Sequence, residues 1–200
     1  MGALVPILIL AAGASRRMGG RDKLLEPVRG RPLIRDRALA ALKTAAPVFV
    51  TLPHGDTDRR AALEGLDVTV IEVAQGPMGA SLSAGIAALP RDVIGVLVLL
   101  ADMPDLTSHD LGAVLTGFDG TPRRGATADG RPGHPVLLPR RLFDTLKNVP
   151  GDEGARQVLK GEEVSLVPLP GQNAVTDLDT PEAWAAWRAA QSDRSSDSSL

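Results

Sequence analysis

The residues with the clearest chemical potential form a glycine-rich, basic stretch that follows an apolar run near the start of the chain. Three glycines and four cations lie between positions 13 and 23. Glycine lets the backbone turn tightly and approach a ligand, and successive exposed N–H groups form a cradle for anions. The stretch therefore suits a triphosphate, with a solvated basic turn as the alternative. Its glycines and cations are Gly13, Gly19, Gly20, Arg16, Arg17, Arg21 and Lys23.

A single carboxylate follows the most hydrophobic run of the chain. Residues 93–100 read VIGVLVLL, and Asp102 comes just after them. A carboxylate at the end of a buried strand is a natural ligand for a hard cation, because Mg²⁺ takes one or two protein carboxylates together with phosphate oxygens and water. Asp102 is therefore a candidate Mg²⁺ ligand. A turn or capping role is the alternative, since Pro104 follows closely.

Two further aspartates lie near the C-terminal end, in the segment VTDLDTPEAW. Side chains at alternate positions of an extended segment point the same way, so Asp177 and Asp179 can face one site. The sequence does not separate them. The alternative is that Asp179 and Thr180 cap a terminal helix, with Pro181 at its favoured first position.

Strands alternate with helices over the first 118 residues. Apolar runs predict strands at 5–10, 48–52, 68–73 and 93–100, and helical periodicity or short polar stretches predict helices at 33–45, 56–64, 78–89 and 107–118. This alternation predicts a three-layer α/β/α sandwich with a Rossmann-like, mostly parallel sheet. In such sheets ligands bind beyond the carboxyl ends of the strands, where the glycine-rich stretch and Asp102 fall.

After residue 118 the composition of the chain changes, and glycine- and proline-rich segments predict loops and short strands. We expect short strands or loops at 125–128 and 135–139, and a strand at 164–169. Helices are expected at 140–147, 153–159 and 180–190. The whole predicts a single domain over residues 1–190, with halves 1–118 and 119–190. Residues 191–200 are polar and serine-rich, which predicts a disordered tail.

Composition excludes several classes of function. The net charge of −2 argues against a nucleic acid partner, which needs a basic face. The chain has no cysteine, so thiolate nucleophiles, disulfides and cysteine-based zinc sites are excluded. The apolar run at 4–12 covers about nine residues, whereas a transmembrane helix needs ~20. No basic stretch precedes it, as a signal peptide would require. We therefore expect a cytoplasmic protein without a membrane partner.

The stretch LAAGASRRMGGRDKLL, residues 10–25, resembles the signature of the MobA-like nucleotidyltransferases, L-A-(A/G)-G-x-S-x-R-M-G-x-x-K. The resemblance implies a nucleotide-diphospho-sugar transferase fold, with residues 1–118 binding nucleotide and 119–190 binding the acceptor. It implies that the backbone from Leu10 through Ala11 and Ala12 to Gly13 holds the base and ribose. Ala14, Ser15 and Arg16 are implied to line the triphosphate.

The same resemblance implies the catalytic groups and the cofactor. Lys23 and Arg16 are expected to neutralise phosphate charge in the transition state. Asp102 is expected to bind the Mg²⁺ ion that bridges the triphosphate. In the family the D-x-D-T-P segment supplies a second metal contact, which here is Asp177 or Asp179.

Three other segments resemble parts of the family. QGPMGASLSAG, residues 75–85, is similar to a segment that contacts the nucleobase, which implies roles for Gly76 and Ser81; ordinary helix capping is the alternative. The P-G-H-P-V and G-D-E-G-A-R segments resemble the cytidylyltransferase branch, where they face the acceptor. They imply acceptor contacts from His134, Asp152 and Arg156, although His134 in a glycine- and proline-framed loop also fits a surface turn.

These likenesses favour CTP as the nucleotide and a molybdopterin-type cofactor as the phosphate-bearing acceptor. L-A-A-G at Leu10 favours the cytidylyl branch, because guanylyl-transferring relatives more often have L-A-G-G. In contrast, RRMGGRDK at 16–23 is close to the corresponding motif of the guanylyltransferases. GTP and a sugar phosphate acceptor therefore stay open as alternatives.

Two hypotheses of other classes also stay open. One is a non-catalytic protein that delivers nucleotide or cofactor to a molybdenum enzyme, and a transient contact with such an enzyme or its chaperone is expected in either case. The other is an oxidoreductase on the same scaffold. The G-x-G-x-x-G dinucleotide fingerprint and the Gly-Lys-Ser/Thr of a P-loop are both absent, although fold does not fix function.

Overall fold

The computed structural model describes residues 4–147 and 158–197, with side chains described as far as residue 192. The strands are β1 (Ile7–Leu10), β2 (Pro27–Val28), β3 (Arg31–Pro32), β4 (Val48–Pro53), β5 (Thr69–Val73), β6 (Gly95–Leu100), β7 (Arg123–Ala126), β8 (Pro132–Pro139) and β9 (Ser165–Pro168). The helices are α1 (Leu33–Leu42), α2 (Thr57–Ala62), α3 (Met78–Ala87), α4 (Ser108–Leu115), α5 (Phe143–Leu146) and α6 (Pro181–Asp197). Short 3₁₀ turns occupy Arg16–Met18 and Arg140–Leu142.

Seven of these strands form one sheet in the order β5-β4-β1-β6-β8-β7-β9. The first half of the chain builds its parallel part, in which β1 pairs with β4 and β6, and β4 pairs with β5. The second half adds β8 antiparallel to β6, then β7 antiparallel to β8, and β9 parallel to β7. The mostly parallel sheet predicted from the sequence is therefore confirmed.

The central strand β1 explains why continuous apolar runs mark this sheet. Ile7 and Ile9 belong to the core on one face, which α1, α4 and Trp184 of α6 cover. Leu8 and Leu10 belong to the core on the other face, against α3 and α5. Because successive side chains of a strand point to opposite faces, a strand covered on both sides is apolar at every position.

Several predicted boundaries differ from the structure. The helix predicted to end at residue 118 ends at Leu115, where Gly117 adopts a left-handed φ of 69°. The helix predicted at 140–147 is a 3₁₀ turn that runs into α5. The helix predicted at 153–159 lies mostly outside the described residues.

The terminal helix α6 also extends beyond its predicted end at residue 190. It continues to Asp197, through residues expected to be disordered. No glycine, and no proline after the first position, interrupts this stretch, so nothing in it breaks a helix. Asp105 holds the helix in place by accepting hydrogen bonds from Trp187 Nε1 at 2.9 Å and Gln191 Nε2 at 3.1 Å. No helix in the described part of the chain is both long and apolar enough to cross a membrane.

The close packing of α3 on β1 gives a stability prediction. A Cβ atom at Gly85 would lie 2.6 Å from Cδ2 of the buried Leu8, whereas one at Gly112 in α4 would meet no atom within 4 Å. We expect Gly85→Ala to lower the free energy of unfolding by about 1–2 kcal/mol through overpacking. Gly112→Ala should raise it by up to about 1 kcal/mol, because alanine is the better helix former. Urea unfolding measures both, and equal stability of the two variants would contradict the packing argument.

Candidate functional site

A cavity of about 680 Å³ opens where β1 and β6 end. Its walls come from the chain after β1, the start of α3, the end of β6 and the segment before α6. Most residues singled out from the sequence line it together. They are Leu10, Ala11, Ala12, Gly13, Ala14, Ser15, Arg16, Lys23, Gly76, Ser81, Asp102, Asp177 and Asp179.

The glycine-rich loop (residues 11–23) holds its shape through left-handed turns and one buried anchor. Gly19 and Gly20 have φ of 61° and 89°, and Ser15 has φ of 49°, which is uncommon for a residue with a side chain. Met18, in the short 3₁₀ turn, is buried in the core and fixes the middle of the loop. The loop therefore keeps a defined path although it belongs to no regular element beyond that turn.

The hydroxyl group of Ser15 and the carboxylate of Asp22 tie the two ends of the loop together. Ser15 Oγ donates to Asp22 Oδ1 at 3.0 Å, and the Lys23 amide donates to Ser15 Oγ at 3.3 Å. Asp22 also accepts from the Leu24 amide at 3.0 Å and from Arg59. Burial raises the pKa of Asp22, but these hydrogen bonds and the Arg59 charge outweigh it, so the pKa lies below its ordinary value of 3.8.

Lys23 lies between two carboxylates from distant parts of the chain. Its Nζ is 2.5 Å from Asp102 Oδ2 and 2.5 Å from Asp179 Oδ1. Burial lowers the pKa of Lys23, but the two carboxylates raise it more, and the net direction is upward from 10.5. The ammonium group therefore stays charged at neutral pH. Arg17, to which the sequence gave no specific role, adds a second cation at 2.5 Å from Asp179 Oδ2.

The structure distinguishes Asp177 from Asp179. The Leu178 amide between them donates to the Asp102 carbonyl at 3.1 Å, which fixes the segment against the end of β6. Asp179 pairs with Lys23 and Arg17, while Thr180 caps α6 by accepting from the Ala183 amide at 3.2 Å. The capping role considered for Asp179 thus falls to Thr180. Burial, followed by the charges of Asp102 and Asp179, raises the pKa of Asp177.

Asp102 has one carboxylate oxygen without a partner. Oδ2 contacts Lys23, whereas Oδ1 is buried and has no hydrogen-bond partner in the described structure. Leaving a buried acceptor unpaired is costly, so this oxygen is available to a hydrogen-bond donor or a cation in the cavity. No cluster of three or more His, Asp or Glu side chains arranged to hold a metal occurs among residues 4–147 and 158–192.

The start of α3 forms the opposite wall. Ser81 lies in the first turn of this helix, is buried and lines the cavity close to Gly76. Pro77, at the N-cap, makes no side-chain capping bond. Helix capping, the alternative considered for this segment, is therefore not what places Ser81 here.

Of the predicted acceptor residues, the structure describes only His134, and it lies away from this cavity. His134 was expected in a loop, but it lies inside β8, where its amide donates to the Ala174 carbonyl at 2.8 Å. This part of β8 is held by the Ala174 carbonyl and by the pairing of Pro132 with Ala126 of β7, whereas the pairing with β6 begins only at Val136. His134 is not among the residues that line the cavity. Asp152 and Arg156 lie outside the described residues.

Arg59 is a buried polar residue at this end of the sheet that the sequence analysis did not single out. The region 56–64 was expected to be a short helix with a polar outer face, yet Arg59 is only 4% exposed. Its guanidinium contacts Ala11, Gly13 and Asp22, all in the glycine-rich loop. The next residue, Arg60, is exposed, and no pattern in the sequence tells the two arginines apart.

Curated relatives of similar length carry several different names. The chain is 32% identical to nicotine blue oxidoreductase of Paenarthrobacter nicotinovorans over 190 residues, covering 88% of this chain and 92% of the relative. It is 29% identical to purine catabolism protein PucB of Bacillus subtilis, covering 92% and 96%. It is 26% identical to a probable molybdenum cofactor guanylyltransferase of Nostoc, covering 88% and 86%.

Solved structures share the fold at low sequence identity. Rv0371c of Mycobacterium tuberculosis superposes with a TM-score of 0.84 at 24% identity, covering 94% of this chain and 98% of that one. Its complex with manganese gives a TM-score of 0.78, covering 92% and 97%. The sequence model of the family described as MobA-like NTP transferase domain matches residues 7–167, which is most of the chain. The protein is therefore a member of the MobA-like NTP transferase family.

Proposed function

We propose that this protein transfers a nucleotidyl group from a nucleoside triphosphate to a phosphate-bearing acceptor, with CTP and a molybdopterin-type cofactor as the preferred pair. One observation carries the proposal: a single cavity joins the cationic glycine-rich loop to the carboxylates of Asp102 and Asp179 through Lys23. Such a site can hold a triphosphate and balance its charge at the same time.

In the reaction, an oxygen of the acceptor phosphate attacks the α-phosphorus of the nucleotide. A bond forms between that oxygen and the α-phosphorus, the bond to the bridging oxygen breaks, and pyrophosphate leaves with the electron pair. Catalysis of this kind depends on positioning and charge neutralisation rather than on a covalent intermediate. Lys23 and Arg16 neutralise the charge that develops on the departing pyrophosphate. The backbone from Leu10 to Gly13, with Gly76 and Ser81 opposite, holds the base and ribose, and Ala14 and Ser15 line the triphosphate.

The carboxylates of the cavity fit a divalent cation. The buried and unpaired Oδ1 of Asp102 is an acceptor in need of a ligand, and the space between Asp102 and Asp179 already holds a positive charge from Lys23. Asp102 and Asp179 would hold the ion, with Asp177 beside them. Bound Mg²⁺ supplies charge stabilisation to the phosphate oxygens and needs only one or two protein carboxylates. A bound triphosphate would offer Lys23 further anionic partners beside the two carboxylates that it contacts.

The choice of nucleotide and acceptor rests on the L-A-A-G motif that begins at Leu10 and on the segments around His134, Asp152 and Arg156. The Nostoc relative, named as a probable molybdenum cofactor guanylyltransferase, supports a molybdenum cofactor acceptor but favours GTP. Nucleotide preference is therefore the property that the first experiment measures.

Nucleotide binding should raise the melting temperature in a Mg²⁺-dependent manner. At ~100 times Kd a ligand adds about 2.7 kcal/mol of stability, which for a chain of this size corresponds to about 5–11 °C. We expect this shift with CTP and Mg²⁺, and smaller shifts with GTP, ATP and UTP, by differential scanning fluorimetry. A shift confined to GTP would replace CTP with GTP in the proposal. No shift with any nucleotide at millimolar concentration would contradict it.

Removing the cationic or the anionic side of the site should strongly reduce turnover. We expect Lys23→Met and Asp102→Asn each to lower kcat by about 10²–10³, the usual loss for one group that stabilises transition-state charge. Asp102→Asn should also abolish the Mg²⁺ dependence of the nucleotide-induced shift. Pyrophosphate release in the presence of molybdenum cofactor measures turnover. Lys43→Met is the matched control, because Lys43 is exposed at the end of α1 and does not line the cavity. Full turnover by the Lys23 variant would exclude this mechanism.

A delivery protein is the non-catalytic alternative, and the same assay separates the two. Such a protein would show the nucleotide-induced shift without pyrophosphate release, whatever the acceptor concentration. The retention of Lys23 together with Asp102 and Asp179 in one cavity favours catalysis.

An oxidoreductase is a second candidate, because the relative at 32% identity carries that name. Its test is the consumption of NADH or NADPH with nicotine blue as the oxidant, followed by absorbance. We expect the protein not to catalyse the consumption of NADH or NADPH, because its glycine-rich loop lacks the G-x-G-x-x-G dinucleotide-binding fingerprint. Consumption that Lys23→Met leaves unchanged would favour the oxidoreductase and exclude a role for Lys23 in it.

A further inference from the structure

The buried arginine of α2 makes an unusually complete set of contacts with the glycine-rich loop. Arg59 Nη1 donates to the Ala11 carbonyl at 2.6 Å, and Nη2 donates to the Gly13 carbonyl at 2.9 Å. Nε and Nη2 also donate to the two carboxylate oxygens of Asp22, at 2.6 and 2.9 Å. Asp56, at the start of α2, adds an ion pair at 3.3 Å. A buried charge is tolerated only when it is paired and hydrogen-bonded in this way.

These contacts join the beginning of the loop to its end. Ala11 and Gly13 come directly after β1, whereas Asp22 immediately precedes Lys23. Asp22 also restrains the backbone on either side of Lys23, because it accepts hydrogen bonds from Ser15 Oγ and the Leu24 amide. One guanidinium group thus fixes the backbone on both sides of the loop and the residue next to Lys23.

The carbonyl contacts also determine where the loop amides point. In a trans peptide the N–H lies opposite the carbonyl, so the amides of Ala12 and Ala14 point away from Arg59. Neither amide meets a protein acceptor within residues 4–147 and 158–192, and both residues line the cavity, whereas Arg59 does not. Amides aligned in this way form the kind of concave site that binds phosphate.

We infer that Arg59 is a positioning residue for nucleotide binding: it orders the glycine-rich loop through Asp22 and two carbonyls without touching the nucleotide. The inference rests on the proposed function, since it assumes that the loop holds a triphosphate. Lysine cannot replace arginine here, because it lacks the planar fork that engages a carboxylate and two carbonyls together.

The test compares Arg59→Lys with Arg60→Lys. Arg60 is the neighbouring residue and is 51% exposed, paired only with Glu72 at the surface in the described structure, so it is a matched control. Titration calorimetry with CTP and with inorganic pyrophosphate, both with Mg²⁺, gives Kd for each protein. We expect Arg59→Lys to raise Kd at least about tenfold, which corresponds to about 1.4 kcal/mol, and Arg60→Lys to leave it within about twofold.

Hydrogen exchange separates positioning from general loss of stability. In Arg59→Lys the amides of residues 11–24 should exchange faster, while those of β1, β4 and β6 keep their wild-type protection. Ethylguanidinium added to Arg59→Ala should restore part of the affinity, because it returns the planar cation to the vacated site. A variant with wild-type Kd and wild-type exchange in the loop would overturn the inference.

Two further outcomes are informative. If Arg59→Lys fails to fold, Asp22→Asn gives the same comparison from the other partner of the ion pair, with an expected increase in Kd and in loop exchange. Binding and exchange that Asp22→Asn leaves unchanged would overturn the inference. If the wild-type protein binds neither CTP nor pyrophosphate, nor any other triphosphate, the proposed function fails and the positioning role fails with it. Wild-type binding with an unaffected Arg59→Lys would refute the positioning role alone.

Discussion

The ammonium group of Lys23 connects three segments that lie far apart in the sequence. It reaches Asp102 at the end of β6 and Asp179 in the segment before α6, while its own backbone belongs to the glycine-rich loop. Without a cation among them, these carboxylates would repel each other in a partly buried cavity. Burial, followed by the charges of Asp102 and Asp179, already raises the pKa of Asp177 beside them. The arrangement of the cavity walls therefore depends on charge balance at one point.

Two buried arginines support the loops that converge there. Arg59 holds the loop after β1, and Arg37 of α1 holds the turn after β6. Arg37 donates to the carbonyls of Met103 and Leu106 and to the carboxylate of Asp36. Both guanidinium groups satisfy backbone carbonyls that lie outside regular secondary structure. Loops at the end of a parallel sheet have few hydrogen-bond partners of their own, so buried side chains supply them.

The sequence predicted the parallel half well because its signals are local. The apolar runs of β1, β4 and β6 are continuous, since both faces of the sheet are covered, and the glycines and cations of the loop cluster within a few positions. The fold class and the family are accordingly confirmed. The positions of Lys23, Asp102 and Asp179 in one cavity agree with the prediction, while their roles stay proposals.

Other features depend on tertiary contacts that no local pattern records. Arg59 and Arg60 are identical in type and adjacent, yet only the fold determines which one is buried. The glycine and proline around His134 predict a loop, but the hydrogen bond to the Ala174 carbonyl and the pairing of Pro132 with β7 keep this stretch in a strand. Helix α6 ends at Asp197, beyond the predicted residue 190, and the contacts of Trp187 and Gln191 to Asp105 that anchor it have no counterpart in the local sequence pattern.

The pairing of Lys23 with Asp179 has a consequence for how the molecule is made. The two residues are separated by 156 positions, and the second comes near the end of the chain. During synthesis the parallel half, through β6, emerges and can pack long before the segment with Asp179 leaves the ribosome. Until then, of the two carboxylates that pair with Lys23 in the described structure, only Asp102 is present. Contacts of such long range also slow folding. The cavity is thus completed only after residue 179 has been made, and a chain interrupted before residue 179 would retain the glycine-rich loop but lack one of the two carboxylates that pair with Lys23.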